Sequence, residues 1–356
     1  MSMSRRSFLT AAAAIGGTVA LGGLAGCSAG EEPEQGADQV QEPTQSQEEI
    51  VITPAIDIHH HYLPPEVVAA MQAQGLPTRE WTVQADIEFC DQVGVGGALL
   101  AYPTTGVRTA EMIRAANEQA AAYSAESPER YGFLASLPCD DMAATLSEID
   151  YAYDQLGADG FVLFSNYAGV NISDPANEAM LESLDSRGAV IHFHPNDPVN
   201  GLIYQRHASV YELPFETTRA AIELVFSGMK EKYPNIKWVL AHAGGTLPYL
   251  SHRFSLFYGT GLVDMEGEKV LELCRSFYFD TALSSSPQQM LALKEMLGGN
   301  LDHVIYGSDF PMRDAAGVAT DMMTLKTTCN LTNEELEAIC YGNAAKLFPR
   351  FAKAEA

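Results

Sequence analysis

Lysine and arginine are scarce in this chain: 21 of them stand against 46 aspartates and glutamates among 356 residues, a formal net charge of −25. An acidic field of that size repels polyanions, which excludes nucleic acid and anionic membrane surfaces as partners. An anionic substrate would then need local positive charge, from a cation or an arginine inside the site. There is no CxxC, and after Cys27 the cysteines (Cys90, Cys139, Cys274, Cys329, Cys340) are odd in number. No disulfide framework is therefore expected, and buried free thiols are. No glycine-rich dinucleotide fingerprint follows the first β-branched run, and no repeat of about 20–50 residues is superimposed on the chain.

The N-terminus reads differently from the rest. Arg5-Arg6 precedes Ser7-Phe8-Leu9 and an uncharged Ala/Gly/Leu/Val run from Ala11 to Ala25, then Leu24-Ala25-Gly26-Cys27. Paired arginines before such a run have the form of a twin-arginine export signal, and the final four residues that of a lipoprotein box, in which the cysteine is acylated. The apolar run is too short and too rich in glycine for a membrane span. Residues 28–50 hold seven acids and no base among Gln, Pro, Ser and Gly, which predicts a disordered, self-repelling tether. The expected organisation is an export signal over 1–27, a linker over 28–50 and one catalytic domain over 51–356, this last part with a net charge of about −20. The expected location is outside the cytoplasm, held to the membrane only through lipid on Cys27.

From Ile52 onward short apolar runs alternate with longer amphipathic stretches, the pattern of a parallel sheet with crossover helices. Eight strands are predicted: Ala55–His59, Gly97–Ala101, Gly132–Ser136, Gly160–Phe164, Ala189–Phe193, Ile236–Ala241, Phe277–Asp280 and His303–Tyr306. Helices are predicted at Ala110–Glu126, Ala143–Leu156, Thr217–Lys232 and Pro287–Leu297, with a last helical segment from Leu331 to Phe348 starting near Thr332. Eight strands and eight helices in alternation predict an α/β fold, a closed (β/α)8 barrel.

Several of these strands end in side chains that bind metals. In Asp57-Ile58-His59-His60-His61, the strand period of two groups Asp57, His59 and His61 on one face and His60 on the other, so His59 and His61 can share one ion. Val190-Ile191-His192-Phe193-His194 ends in His194, the better ligand candidate, with His192 deeper and read as a core or a supporting histidine. Two further apolar strands lead to His242 and Asp309. Barrel enzymes assemble their sites at the C-terminal ends of strands, so these five side chains would converge above the barrel.

These motifs, in this order, resemble the amidohydrolase superfamily over nearly all of Ile52 to Phe348. The resemblance implies a metal-dependent hydrolase type of barrel, with His59, His61, His194 and Asp309 as metal ligands and His242 beside the metal as a catalytic group. Binuclear members bridge two metals through a carboxylated lysine at the end of strand four. Here that region is Gly160-Phe161-Val162-Leu163-Phe164-Ser165-Asn166. One divalent metal per subunit is expected, Zn²⁺ favoured by three imidazoles and a carboxylate and Mn²⁺ its competitor.

Within the superfamily, Ile56-Asp57-Ile58-His59-His60-His61-Tyr62-Leu63-Pro64-Pro65 is similar to the branch holding α-amino-β-carboxymuconate-ε-semialdehyde decarboxylase and γ-resorcylate decarboxylase. Phe133-Leu134-Ala135-Ser136-Leu137-Pro138, His242-Ala243-Gly244-Gly245-Thr246 and Phe279-Asp280-Thr281-Ala282 are similar to the 6-methylsalicylate decarboxylase group. The branch implies non-oxidative decarboxylation of a small aromatic or unsaturated acid, of the ortho-hydroxy salicylate type, with His242 or Asp309 as proton donor. It also implies that Arg253, eleven residues after His242, grips the substrate carboxylate and reaches a neighbouring subunit's site, hence a homodimer. Trp81, Tyr204 and Phe215 are candidate ring contacts. A metal hydrolase such as a lactonase would use the same residues, and a lipid-anchored binding protein is the alternative of another class, disfavoured by a ligand set that includes both His242 and Asp309.

Overall fold

The computed structural model describes residues 54–73, 75, 81–102, 109–198 and 208–352, so the proposed signal and tether lie outside the described residues, as does Tyr204. Eight strands form one parallel sheet in chain order: β1 (Ala55–His61), β2 (Val95–Ala101), β3 (Tyr131–Ser136), β4 (Gly160–Phe164), β5 (Val190–His194), β6 (Lys237–Leu240), β7 (Tyr278–Asp280) and β8 (Val304–Ile305). Each is followed by at least one helix. The ring is joined between β8 and β1 by single contacts: Ile58 N donates to Tyr306 O at 3.2 Å, Asp309 N to His59 O at 2.9 Å and His61 N to Phe310 O at 2.7 Å. The sheet is thus a nearly closed (β/α)8 barrel, as expected.

Two layers of apolar side chains account for its stability. Ile56, Ile58, Leu99, Ala101, Leu134, Val162, Phe164, Val190, Val239 and Ile305, alternate residues of the strands, cluster with one another as the barrel filling, and Ala344 and Phe348 join them from the C-terminal segment. The opposite parity of the strands, including Leu100, Phe133, Phe161, Ile191, Trp238 and Phe279, packs against the helices. At about 1.5–3 kcal/mol per buried large side chain this is where the fold's driving force resides. Arg350 Nε pairs with Asp159 Oδ1 at 2.6 Å just before β4, tying the C-terminal segment to the N-terminal ends of the strands. That leaves the opposite mouth for a site.

The differences from expectation are local. The first predicted strand runs two residues further, and a register shift falls between Asp57 and His60. Asp57 therefore shares the helix-facing side with His60, which it contacts at 3.0 Å, and not the side of His59 and His61. A strict period of two fails at a bulge because one residue is added without a partner. The helix predicted over Thr217–Lys232 begins instead at Glu212, Pro214 fitting its first turn, and stops at Phe226, before Gly228 at φ 78°. The Thr332 start is confirmed as a reciprocal cap with Glu335, though the segment widens into a π-turn over Ala338–Gly342. Cys90, Cys274, Cys329 and Cys340 are buried free thiols.

Candidate metal centre

The C-terminal ends of β1, β5, β6 and β8 bring four imidazoles and one carboxylate together. The ring centroids of His59, His61 and His194 are 5.1–5.4 Å apart, and His242 stands 5.1 Å from His59 and 5.7 Å from His194. Ligand atoms of His59, His194, His242 and Asp309 all lie within 4.8 Å of one another. Asp309 is the centre of this group: its Oδ1 is 3.2 Å from Nε2 of both His59 and His61, and its Oδ2 is 3.7 Å from His242 Nε2. All five residues proposed from the sequence are brought together. The structure adds His242 to the tightest set of four, with His61 reaching it through Asp309.

The arrangement fits a divalent cation. His59 Nε2 is buried with no hydrogen-bond partner among the described residues, although a carboxylate oxygen is 3.2 Å away. A lone pair left unpaired in such surroundings costs about 1–3 kcal/mol unless something else occupies it. His194 directs Nδ1 at the carbonyl of Pro195, 2.8 Å away, which puts the proton on Nδ1 and leaves Nε2 as a lone pair. Burial, reinforced by His59, His61 and His242, keeps the His194 pKa well below its ordinary value, so this imidazole stays neutral as a ligand must. Three imidazoles and a carboxylate are donors of the kind Zn²⁺ and neighbouring transition metals take.

One supporting residue carried no role in the sequence reading. Asp280, fully buried at the end of β7, places Oδ2 2.8 Å from His59 Nδ1 and 2.9 Å from His192 Nε2, while its Oδ1 accepts the backbone N–H of His242 and Ala282. One carboxylate thus orients a ligand candidate, the deeper histidine and the turn bearing His242. Burial would raise the Asp280 pKa, but His59 and His192 outweigh it and hold the group far below the carboxylate range. Burial likewise opposes charge on His59, while Asp280 and Asp309 favour it and raise its pKa, so that without a cation the ring takes a proton, which a cation at Nε2 would displace. His192 is buried and meets Asp280, outside the set formed by His59, His194, His242 and Asp309.

The backbone is bent to present these groups. His242 (φ 55°), Ala243 (φ 56°) and Asp309 (φ 59°) are left-handed, at about 1–2 kcal/mol each. Two glycines make the turns feasible. A Cβ on Gly307 would meet His59 Cβ at 2.8 Å, and one on Gly245 would meet the Pro214 carbonyl at 1.9 Å. Thr218 accepts from Thr246 N at 2.8 Å and anchors the turn after His242.

Other candidates stand apart. Arg253 is exposed on the helix Leu247–Phe254, has no ion pair among the described residues, and lies 5.7 Å from the Phe257 ring centroid. Trp81 donates its indole N–H to Asp86 at 3.0 Å and packs on Tyr62 and Tyr123, which accounts for it as packing, while Phe215 is 42% exposed.

The chain is similar to known proteins over most of its length. The profile of the amidohydrolase family matches residues 56–350. Over 316 residues the chain is 36% identical to the 6-methylsalicylic acid decarboxylase of Penicillium expansum, a match covering 83% of this chain and 96% of that protein. A crystal structure of amidohydrolase II superimposes with a TM-score of 0.76 at 29% identity, over 83% of this chain and 99% of the other. The Polaromonas sp. JS666 dihydroxybenzoic acid decarboxylase, solved with bound manganese and the inhibitor 2-nitroresorcinol, shares the fold at TM-score 0.74 and 21% identity, over 85% and 98%.

Proposed function

This chain belongs to the amidohydrolase family, and from that premise we propose that it is a metal-dependent, non-oxidative decarboxylase of a small aromatic carboxylic acid of the salicylate type. The observation that carries the reading is the convergence of His59, His194, His242 and Asp309 within 4.8 Å, in a chain matched over 83% of its length by a 6-methylsalicylic acid decarboxylase. His59, His61, His194 and Asp309 would hold one divalent cation, Zn²⁺ being favoured by the donor set and Mn²⁺ its competitor. The cation, when bound, supplies positive charge to a substrate carboxylate and its ortho oxygen.

The protein's own part is the proton. Loss of CO2 from an aromatic ring requires protonation of the carbon that bears the carboxylate; the C–C bond then breaks and its electron pair restores the ring. His242 and Asp309, 3.7 Å apart, form the acid–base pair that holds this proton. Asp280 fixes the His242 backbone and the His59 ring, so neither has to reorganise as charge develops. Arg253, exposed and without an acidic partner among the described residues, would meet a substrate carboxylate in a neighbouring copy of the chain, which makes a homodimer part of this proposal. The proposed location is outside the cytoplasm on a lipid anchor at Cys27.

The test is metal analysis of the purified chain followed by a panel of substituted salicylates. Close to one divalent cation per subunit and CO2 release from one of these acids are expected. Two cations in a fully active preparation, or turnover of lactones without CO2, would contradict the proposal.

A further inference from the structure

A second polar cluster lies just behind the metal centre, on the helix side of β1. It begins at Asp57, which is 0% exposed. Asp57 Oδ1 accepts from two backbone groups, His59 N at 3.1 Å and Ser308 N at 3.0 Å. Asp57 Oδ2 takes the Ser308 hydroxyl at 2.5 Å and His60 Nδ1 at 3.0 Å. Ser308 Oγ in turn accepts Phe310 N at 2.9 Å. One carboxylate therefore ties the residue that carries a ligand imidazole on β1 to the residue immediately before Asp309, and the same hydroxyl ties the residue immediately after it.

The far side of Asp57 is braced. His60 Nε2 is 3.0 Å from both oxygens of Asp86 on the helix Val83–Val93, and Asp86 also accepts from Tyr131 Oη at 2.6 Å and Trp81 Nε1 at 3.0 Å. Both side chains that meet Asp57 are thus themselves held, His60 by Asp86 and the Ser308 hydroxyl by Phe310 N. Asp309 sits in the left-handed region, and a residue there keeps its conformation only where its surroundings over-determine it. The bonds on both flanking residues do so.

We propose that Asp57 and Ser308 are positioning residues, which act from outside the barrel to set the distance and direction of the Asp309 carboxylate relative to His59. The inference rests on the proposed role of Asp309 at a cation and goes beyond it, since neither Asp57 nor Ser308 touches the centre. The groups are uncharged backbone N–H, a hydroxyl and a carboxylate braced by His60, so their role is geometric. A turn held only for stability would, when loosened, lower the melting temperature and leave the site's own properties alone. A positioning pair would move those properties directly.

The experiment uses the full-length protein stripped of metal. Ser308→Ala removes the hydroxyl bridge with little change of volume, and Asp57→Asn keeps size and shape while removing the charge. Co²⁺ and Zn²⁺ affinities are read by competition with a chromophoric chelator, kcat and KM on the best substituted salicylate, and the melting temperature for each variant. Expected for Ser308→Ala are cation affinities weakened by about 10- to 100-fold, as for other groups that orient ligands, and kcat lowered at least about tenfold at saturating cation with KM within about twofold. Wild-type affinities and kcat, with only a lower melting temperature, would overturn the inference and leave the metal-centre reading standing. A wild-type chain that binds neither ion would overturn that reading and this inference with it. Should Ser308→Ala fail to fold, the same criteria apply to Asp57→Asn.

Discussion

The carboxylate of Asp280 approaches Nδ1 of His59 to 2.8 Å, on the edge of the ring away from Asp309. The imidazole is thereby held with its Nε2 towards the cluster and its other nitrogen permanently engaged. Orientation of this kind is supplied before any ligand arrives, which is why the site can be read without one.

Asp280→Asn should keep the fold and weaken cation affinity by about 10- to 100-fold, because the amide cannot accept from His59 and His192 with the strength of a carboxylate. Titration of the metal-free variant with Zn²⁺ checks this. Wild-type affinity would remove Asp280 from the orienting role.

His60→Ala should retain about one cation per subunit at saturating metal, since His60 faces Asp57 and Asp86 and not the cluster. It should cost about 3–5 kcal/mol of stability, the usual consequence of leaving buried carboxylates without their partner. Metal content and chemical denaturation separate the two effects; loss of the cation would mean that the register of β1 is wrong.

How much of this was legible in the sequence follows from the range of each interaction. His194 and Asp309 were found because each ends an apolar strand, a local pattern. Asp280 also ends a strand, but its partners are 221 and 88 residues away in the chain, and nothing near Phe279-Asp280-Thr281 announces them. The bulge that puts Asp57 beside His60 was hidden for a different reason: His59, His60 and His61 satisfy a period of two from either side, and only the pairing of β1 with β2 shows where the extra residue falls. The barrel was legible because its evidence repeats eight times, and the first turn of the helix at Glu212 was not, because Pro214 reads as a breaker until its position within that turn is known.

Lys230→Met should stabilise the protein at pH 7. Lys230 is 5% exposed and has an aromatic ring, Phe277, as its cationic contact at 5.2 Å; burial brings its pKa from the ordinary 10.5 down to about 8. A lysine with the lower pKa in the folded state binds fewer protons there than when unfolded, so stability rises with pH between about 8 and 10.5. The variant should gain about 1–3 kcal/mol at pH 7 and lose most of that advantage by pH 10.5. Thermal melts across this range check it, and an advantage independent of pH would contradict the assignment.

Cys27→Ser should release the protein from the membrane fraction without altering turnover, because the barrel begins only at Ala55. Fractionation and immunoblotting of cells carrying either form provide the readout. A wild-type chain that stays cytoplasmic with an unprocessed N-terminus would contradict the export reading.

The proposed reaction is removal of CO2 from an aromatic acid by protonation of the ring, in a site that would hold a divalent cation. Its most direct test is turnover of the best substituted salicylate in D2O by the metal-free and the cation-restored protein, followed by NMR and by CO2 detection. CO2 and a phenol with one deuterium at the vacated carbon are expected, formed only after the cation is restored. Equal turnover without a cation, or consumption of the acid with its carboxylate intact, would contradict it.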